Sequence, residues 1–237
     1  MKVAIMVDGG FYSRQASKLF GPKSPEERAT ELYTYALRHV DFKHGQELYR
    51  IFYYDCPPSE KTVYHPLRKE NIPLNKSPLY GWTKNFHKAL TCKRKTALRL
   101  GELLEGSMGY NLSQEAVKRL CNGSISVSDL KETDFYLDIK QKGVDMRIGL
   151  DIASLANKRL VDQIVLIAGD SDFVPAAKHA RREGIDFILD PMWHTIKPSL
   201  NEHIDGLFSR VNKPPNHYSD PLCTLKRPEP AESELQK

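Results

Sequence analysis

The chain has 237 residues, of which 40% are hydrophobic, so it can bury a sizeable core as one α/β domain with an insertion. No apolar run is long enough to cross a bilayer, and the opening run is too short for a signal peptide and ends in a charge. We therefore expect no membrane contact. The net charge of +5 is compatible with a polyanionic partner.

The four cysteines are scattered along the chain without a Cys-x-x-Cys pair: Cys56, Cys92, Cys121 and Cys223. This spacing argues against a zinc site and against a disulfide framework. Reduced thiols fit a cytoplasmic protein best, so we expect that location.

The first predicted strand, residues 2–7, is an apolar run that ends in Asp8-Gly9-Gly10. The glycines allow a tight turn, and a helical stretch follows from Phe11. Asp8 is thus a carboxylate at the end of a strand and before a helix, where open α/β sheets bind their ligands. The alternative is an ordinary turn, because Asp-Gly is common in turns.

The next helix is predicted from the Ser-Pro-Glu-Glu sequence at residues 24–27 to about Val40. In this sequence Ser24 can cap the helix, and Glu27 can complete a capping box. A second strand, residues 48–54, ends at Asp55. Asp55 is a weaker candidate for the same edge of the sheet.

Residues 57–125 depart from the strand–helix rhythm and are predicted to form an insertion, with a helix near residues 80–90 and a strand near residues 95–100. They hold twelve Lys and Arg against five Asp and Glu, with aromatic residues between them. Basic groups bind phosphates and aromatic faces stack on unpaired bases. The alternative is a solvated basic face over a small aromatic core. The candidate nucleic-acid-binding residues are Lys84, Lys88, Lys93, Arg94, Lys95 and Arg99.

A strand at residues 135–140 is followed by a predicted amphipathic helix over residues 144–160. Asp145 lies in the first turn of this helix, where it can face the strand ends or only complement the helix dipole. Asp151 points roughly 120° away from Asp145 around the helix. We therefore expect Asp151 to support the site, lie on the polar face or act as a cap.

A buried strand at residues 164–168 is followed by Gly169-Asp170-Ser171-Asp172. Two carboxylates so close together repel each other, and a divalent metal relieves that repulsion. Asp170 and Asp172 are therefore candidate metal ligands. The alternative is that Asp172 caps the next helix and Asp170 sits in the turn.

The remaining predicted elements are a helix over residues 173–183, which stops at Gly184, a strand at 185–189 and a helix at 201–208. Residues 213–237 are rich in Pro, Ser, Glu and Lys, and we predict a disordered tail there.

Three motifs taken together resemble the NYN domain family of PIN-like nucleases: Val-Asp-Gly-Gly at residues 7–10, residues 142–151, and residues 169–175. The resemblance spans roughly residues 1–55 and 90–210. It implies a Rossmann-like PIN-type three-layer α/β domain with a central, mainly parallel sheet. It also implies that four carboxylates are the catalytic residues and the ligands of Mg²⁺ or Mn²⁺: Asp8, Asp145, Asp170 and Asp172.

The resemblance and the basic insertion together predict a nuclease domain at residues 1–212 that hydrolyses RNA with the help of a divalent metal. Ser171 is expected to hydrogen-bond a phosphate or to shape the turn. Lys142 is expected to contact substrate or to point into solvent. A homodimer formed through the insertion is compatible with the sequence.

Two other functions remain open at this stage. The first is an RNA-binding module with a weak or inactive site, because Phe11 stands where many family members carry Asn. The second is a metal-dependent phosphatase that acts on small substrates. However, phosphatases of the haloacid dehalogenase type carry Asp-x-Asp on the first strand, whereas here that motif comes late. A small-substrate enzyme would also not need the basic insertion.

Overall fold

Apolar residues alternate between the two faces of a single parallel sheet, so both faces must be covered by helices. The structure is a computed structural model that describes residues 1–212. The predicted disordered tail at residues 213–237 lies outside these residues.

The strands in chain order are β1 (Lys2–Asp8), β2 (Glu47–Asp55), β3 (Thr62–His65), β4 (Glu70–Pro73), β5 (Thr96–Leu100), β6 (Glu102–Leu103), β7 (Gly109–Leu112), β8 (Phe135–Asp138), β9 (Gln141–Lys142), β10 (Gln163–Ile167), β11 (Asp186–Asp190) and β12 (Gly206–Leu207). The α-helices are α1 (Gly9–Phe20), α2 (Pro25–Leu37), α3 (Pro78–Thr91), α4 (Gln114–Cys121), α5 (Val144–Asn157), α6 (Val174–Arg182) and α7 (Pro198–Asn201).

The central sheet contains six parallel strands in the order β12-β11-β10-β1-β2-β5. Val3, Ile5 and Val7 of β1 pack on one side with α1, α2 and α3. Ala4 and Met6 pack on the other side with α5, α6 and α7. The predicted fold class, a three-layer α/β domain with a parallel sheet, is confirmed.

Chain connections run outward from β1 in both directions. β2 and β5 extend the sheet on one side, and β10, β11 and β12 extend it on the other. The strand order therefore reverses between β1 and β10, and in doubly wound sheets this is where a crevice opens at the carboxyl ends of the strands. The fold thus places Asp8, at the end of β1, beside the turn that follows β10.

Residues 57–125, predicted as an insertion, divide between two parts of the structure. The helix and strand predicted near residues 80–90 and 95–100 are α3 and β5, and both belong to the main domain. The segments 57–77 and 102–142 form a separate unit of short antiparallel pairs, β3–β4, β6–β9 and β7–β8, together with α4. We call this unit the small β-module; Val63, Leu74 and Met108 form its core.

The helix predicted over residues 201–208 is wrong. The structure has a short helix, α7, that ends at Asn201, and then the strand β12. The amide of Asp205 donates to the carbonyl of Phe187 over 2.8 Å, and the amide of Phe208 donates to the carbonyl of Leu189 over 3.2 Å. These backbone groups form hydrogen bonds with the edge of β11. This pairing favours an extended backbone over the helix that the local sequence allows.

The described residues contain no helix that is both long and apolar enough to pass through a membrane.

The start of α2 offers a direct test of how the sequence fixes helix boundaries. The hydroxyl oxygen of Ser24 accepts a hydrogen bond from the amide of Glu27 over 3.3 Å, and the Glu27 carboxylate accepts one from the amide of Ser24 over 2.9 Å. This is the predicted capping box. The same contacts lower the pKa of Glu27. The helix ends at Leu37, three residues before the predicted Val40.

We expect Ser24→Ala to lower the free energy of unfolding by about 1 kcal/mol, because an amide at the start of α2 loses its acceptor. Urea denaturation at pH 7 measures the change. Ser17→Ala on α1 is the matched control and should cause no comparable loss, because Ser17 is an exposed residue inside a helix. Since Glu27 has a lowered pKa, its contribution is complete above its unfolded pKa and disappears as the pH falls through the folded one. Equal effects of the two variants would contradict the capping box.

Candidate active site

Four carboxylates lie at the carboxyl edge of the sheet, near the junction between β1 and β10. Asp8 ends β1, and Asp170 lies three residues after the end of β10. Val7 and Ile167 are partners in the register of these two strands. Asp145 comes from the first turn of α5, and Asp172 from the short turn that precedes α6.

The negative charges of these groups affect one another through Asp145. Burial raises the pKa of Asp145, and the negative charges of Asp170 and Asp172 raise it further. Burial also raises the pKa of Asp8, and the charge of Asp145 adds to that increase. Neighbouring carboxylates therefore make it less favourable for Asp145 and Asp8 to carry their charges.

Backbone hydrogen bonds hold two of the carboxylates at the strand ends. Asp8 Oδ1 accepts from the amide of Phe11 over 3.1 Å and caps α1. Asp170 Oδ1 accepts from the amide of Asp172 over 3.1 Å and caps the turn Ser171–Phe173. No side chain caps α6, so the alternative in which Asp172 caps that helix is not what the structure shows.

The donor set suits a hard divalent cation, because all four groups offer carboxylate oxygens and two have raised pKa values that a cation would lower. As they stand, the described residues include no three Asp, Glu, His or Cys side chains grouped closely enough to hold an ion. The carboxylates are thus neighbours with the right chemistry rather than a preassembled ligand shell.

Phe11 fills the space between the two strand ends. Its side chain is 6% exposed, and its Cε2 atom lies only 2.6 Å from the point that a Cβ on Gly169 would occupy. The Phe11 ring also meets the ring of His194 edge-on, with centroids 5.8 Å apart. Residue 11 therefore contributes packing against the Gly169 turn and no polar side-chain group.

A strained turn after β11 brings His194 to this edge, and no motif in the sequence indicates it. Met192 and Trp193 both have left-handed backbone conformations, with φ of 46° and 64°. Such conformations are rare for bulky residues and persist only where neighbouring contacts hold them. Nδ1 of His194 lies 3.3 Å from the Cβ point of Gly169, next to Asp170.

Hydrogen bonds from three directions hold this turn. Oδ1 of the buried Asp190 accepts from the amide of Met192 over 2.7 Å. The hydroxyl of Ser209 accepts from the amide of Trp193 over 2.9 Å, and the Trp193 indole donates to the carbonyl of Val211 over 2.8 Å.

The other oxygen of Asp190 accepts from Tyr35 and contacts His39 Nε2. The turn is therefore anchored to α2 as well as to the chain that follows β12.

Two cations lie close to the carboxylates. Lys197 Nζ donates to Ser171 Oγ over 3.1 Å, so it is beside the Asp170 turn. The positive charge of Arg14 lowers the pKa of Asp8, although burial of that carboxyl dominates. Neither residue follows a motif in the sequence. They are found only because the fold brings α1 and the loop before α7 to this edge.

Asp55 lies at the end of β2, the strand next to β1. Its carboxylate accepts hydrogen bonds from three donors: the amide of Cys56 at 2.7 Å, Nε2 of His87 at 3.1 Å and Nε2 of Gln141 at 3.3 Å. Gln141 is a second residue that the sequence did not single out. Its Oε1 lies 3.9 Å from the Cβ point of Gly10, beside Asp8.

Asp151 and Lys142 lie outside the carboxylate cluster. Asp151 accepts a hydrogen bond from the Tyr54 hydroxyl over 2.8 Å and pairs with Nε of Arg99 over 3.1 Å. It therefore joins α5 to the sheet. Lys142 is exposed and pairs through its backbone with Glu102 at the edge of the small β-module.

The six predicted nucleic-acid-binding cations do not form one surface beside the carboxylates. Lys93, Arg94 and Lys95 precede β5 and so lie at the amino edge of the sheet, opposite the cluster. Lys95 donates to the carbonyl of Leu48, and Arg99 is paired with Asp151. Lys84 lies over the Tyr80 ring at 5.6 Å, and Lys88 is in the last turn of α3. The charge is thus spread around α3 and β5.

The close contact between the Phe11 ring and Gly169 predicts that a side chain at position 169 destabilises the protein. We expect Gly169→Ala to lower the free energy of unfolding by about 1–3 kcal/mol, because the added methyl group overlaps the Phe11 ring. The double variant with Phe11→Leu should lose less free energy of unfolding than the sum of the losses in the two single variants. Denaturation curves of the three variants measure this coupling. Gly149→Ala on α5 is the control and should not destabilise, because nothing lies within 4 Å of its Cβ point. Additive effects would contradict the contact.

Comparison with known proteins gives one family match. The family model of the NYN domain matches residues 106–200, a range that contains Asp145, Asp170 and Asp172 but not Asp8. A crystal structure of a protein of unknown function from Vibrio parahaemolyticus is similar over 89% of this chain and 93% of that chain, with 14% identity and a TM-score of 0.45. No curated protein matches. The family match confirms the resemblance seen in the motifs, which is to the NYN domain family.

Proposed function

We propose that this protein is a divalent-metal-dependent ribonuclease whose reaction takes place at Asp8, Asp145, Asp170 and Asp172. One observation carries the proposal: β1, α5 and the turn after β10 all present these carboxylates at the same edge of the sheet, where the charges of Asp170 and Asp172 act on Asp145 and that of Asp145 acts on Asp8. The NYN match over residues 106–200 supports a nuclease-related function.

Mg²⁺ or Mn²⁺ would be held by Asp8 and Asp170, with Asp145 and Asp172 as direct ligands or as acceptors of hydrogen bonds from ordered water. When bound, the ion supplies a Lewis acid for a phosphate oxygen and lowers the pKa of a water molecule. Without it, a cluster of carboxylates repels RNA. The protein therefore needs the ion for binding as well as for chemistry.

The residues around the cluster supply the remaining functions. Lys197 and Arg14 offset negative charge next to Asp170 and Asp8 and can pair with the phosphates on either side of the scissile bond. Ser171, held by Lys197, presents a hydroxyl group at the same turn. Phe11 forms an apolar wall between the strand ends, which excludes water from one side of the site.

A second candidate function is an RNA-binding module with weak or no catalysis. It is favoured by Phe11, whose ring takes the position of a polar side chain and offers no hydrogen bond to a water molecule or a phosphate. In that case the carboxylates would hold a metal ion that offsets their charge, so that RNA binds without being cleaved.

RNA is the proposed partner, and the cytoplasm is the proposed location. The cysteines among the described residues are free, with Cys56 buried and Cys92 and Cys121 exposed, which supports a reducing compartment. Dimerisation through the small β-module stays a prediction.

Asp170→Asn should abolish RNA cleavage and leave the fold intact, because one oxygen remains to cap the turn while a charged metal ligand is lost. Cleavage of single-stranded and structured RNA is followed in Mn²⁺, Mg²⁺ or EDTA. Asp41→Asn is the matched control, since Asp41 caps a similar turn, Phe42–His44, before β2. It should cleave like wild type. Wild-type turnover by Asp170→Asn would overturn the site assignment, whereas metal-dependent RNA binding without cleavage by wild type would favour the second function.

In EDTA at pH 7, Asp145→Asn should raise the melting temperature. The pKa of Asp145 is raised, so its charge destabilises the folded state as the pH rises through its unfolded pKa, and the penalty is relieved as the pH falls. Added Mn²⁺ should stabilise wild type more than the variant. Differential scanning fluorimetry over a pH series measures both effects. A melting temperature that falls in EDTA would contradict mutual repulsion within the cluster.

A further inference from the structure

A cavity of about 200 Å³ lies between the end of β2, the start of α3 and the small β-module. The chemistry proposed above does not use it. Most of its walls are apolar, and it also contains a carboxylate and an amide group. The residues that matter for its chemistry are Asp55, Leu79, Tyr80, Leu137, Ile139 and Gln141.

Gln141 connects this cavity with the carboxylate cluster. Its Nε2 donates to Asp55 inside the cavity over 3.3 Å. Its Oε1 lies 3.9 Å from the Cβ point of Gly10, and Oδ1 of Asp8 lies 3.5 Å from that same point. One wall of the cavity is therefore next to Asp8, and a nucleotide whose phosphate lies at the cluster has its base within reach of the cavity.

The size and walls of the cavity suit one flat ring system. Sites for drug-sized ligands occupy about 300–1,000 Å³, so this cavity is too small for a whole nucleotide. Leu79 and Ile139 are 69% and 39% exposed although they are apolar. A base inserted between them covers this surface, and the ring of Tyr80 offers a face for stacking.

Unused hydrogen-bonding capacity in the cavity indicates which bases fit. A carboxylate can accept about four hydrogen bonds, and Asp55 accepts three from Cys56, His87 and Gln141. Within residues 1–212, Oε1 of Gln141 accepts no hydrogen bond, and one hydrogen on Nε2 is also spare. On the Watson–Crick edge, an acceptor beside an amide N–H matches an exocyclic amine beside an unprotonated ring nitrogen, as in cytosine and adenine, whereas guanine presents a ring N–H beside its amine. Uracil has a carbonyl oxygen in place of the amine, which a carboxylate repels.

The geometry points to a nucleobase subsite in which Asp55 and Gln141 select an amine-bearing base, cytosine or adenine, next to the scissile phosphate. This inference rests on the proposed function, because it takes RNA as the substrate of the carboxylate cluster. It makes the small β-module a determinant of specificity, since Gln141, Leu137 and Ile139 all come from it.

The test measures binding without cleavage. Full-length Asp170→Asn protein, which should not cleave RNA, is titrated in the presence of Mn²⁺ into fluorescent single-stranded oligocytidylate and oligouridylate of equal length, and anisotropy gives the two dissociation constants. We expect about tenfold tighter binding of oligocytidylate. Adding Gln141→Ala should reduce this preference to about twofold or less, because the amide pairs with the base edge. Gln114→Ala, an exposed residue at the start of α4 in the same module, is the control and should keep the preference.

Leu79→Ser tests the contribution of the apolar walls to RNA binding separately from that of the polar groups. It should weaken binding of both RNAs and leave their ratio unchanged. Equal affinity for the two RNAs in the parent protein, no RNA binding at all, or a preference that survives Gln141→Ala would overturn the subsite. Cleavage by wild type in Mn²⁺ is assayed separately. Base preference without cleavage overturns the nuclease proposal alone, and cleavage without base preference overturns the subsite alone.

Discussion

The parallel pairing of β1 with β10 is the contact on which the rest of the structure depends. These strands are far apart in the sequence, and their register from Val3 and Gln163 to Val7 and Ile167 brings two of the carboxylates to one edge. At the opposite edge, Asp162 accepts from the amide of Lys2 over 2.5 Å and donates its own amide to the carbonyl of Lys2 over 2.9 Å. A shift of the register by one residue would point every side chain of β1 at the wrong helical layer.

This pairing concentrates negative charge that the fold alone does not neutralise. Burial and the charges of neighbouring acids raise the pKa values of Asp145 and Asp8, and the nearby cations Arg14 and Lys197 lie at the rim of the cluster. Groups that are costly to the folded state in this way are characteristic of sites that bind a cation or a substrate. The stable part of the domain is elsewhere, in the two apolar layers that cover the sheet.

Much of the fold could be predicted from local signals. The apolar runs of β1, β2, β10 and β11 were found because buried parallel strands have few polar interruptions, and α2 was found through its capping box. Residues 201–208 were assigned wrongly because their backbone pairs with β11, a partner that no local pattern reveals. For the same reason, residues 57–125 looked like one insertion, although β5 pairs with β2, and their partner residues, such as Ile51 and Thr96, are 45 positions apart in the sequence.

The residues of the candidate site also fall into two groups, those with a local signal in the sequence and those without one. The four carboxylates follow strands or open a helix, so their positions could be predicted from strand ends. The positions of His194, Lys197 and Gln141 could not be predicted, because they depend on the turn after β11, the loop before α7 and the small β-module. The basic residues show how little a charge count says about position. Counting charges along the chain grouped Lys93, Arg94 and Lys95 as candidates for nucleic-acid binding, and the direction of β5 puts them at the edge of the sheet opposite the carboxylates.

The turn at Met192 and Trp193 has a consequence for when the edge becomes complete. Its left-handed backbone is held by Ser209 and by the carbonyl of Val211, which are among the last residues that the structure describes. A nascent chain that has left the ribosome only as far as β11 can pair β1 with β10, but it lacks these two anchors. The register of β1 with β10 is therefore independent of these anchors, whereas the position of His194 beside Asp170 requires the chain as far as Val211.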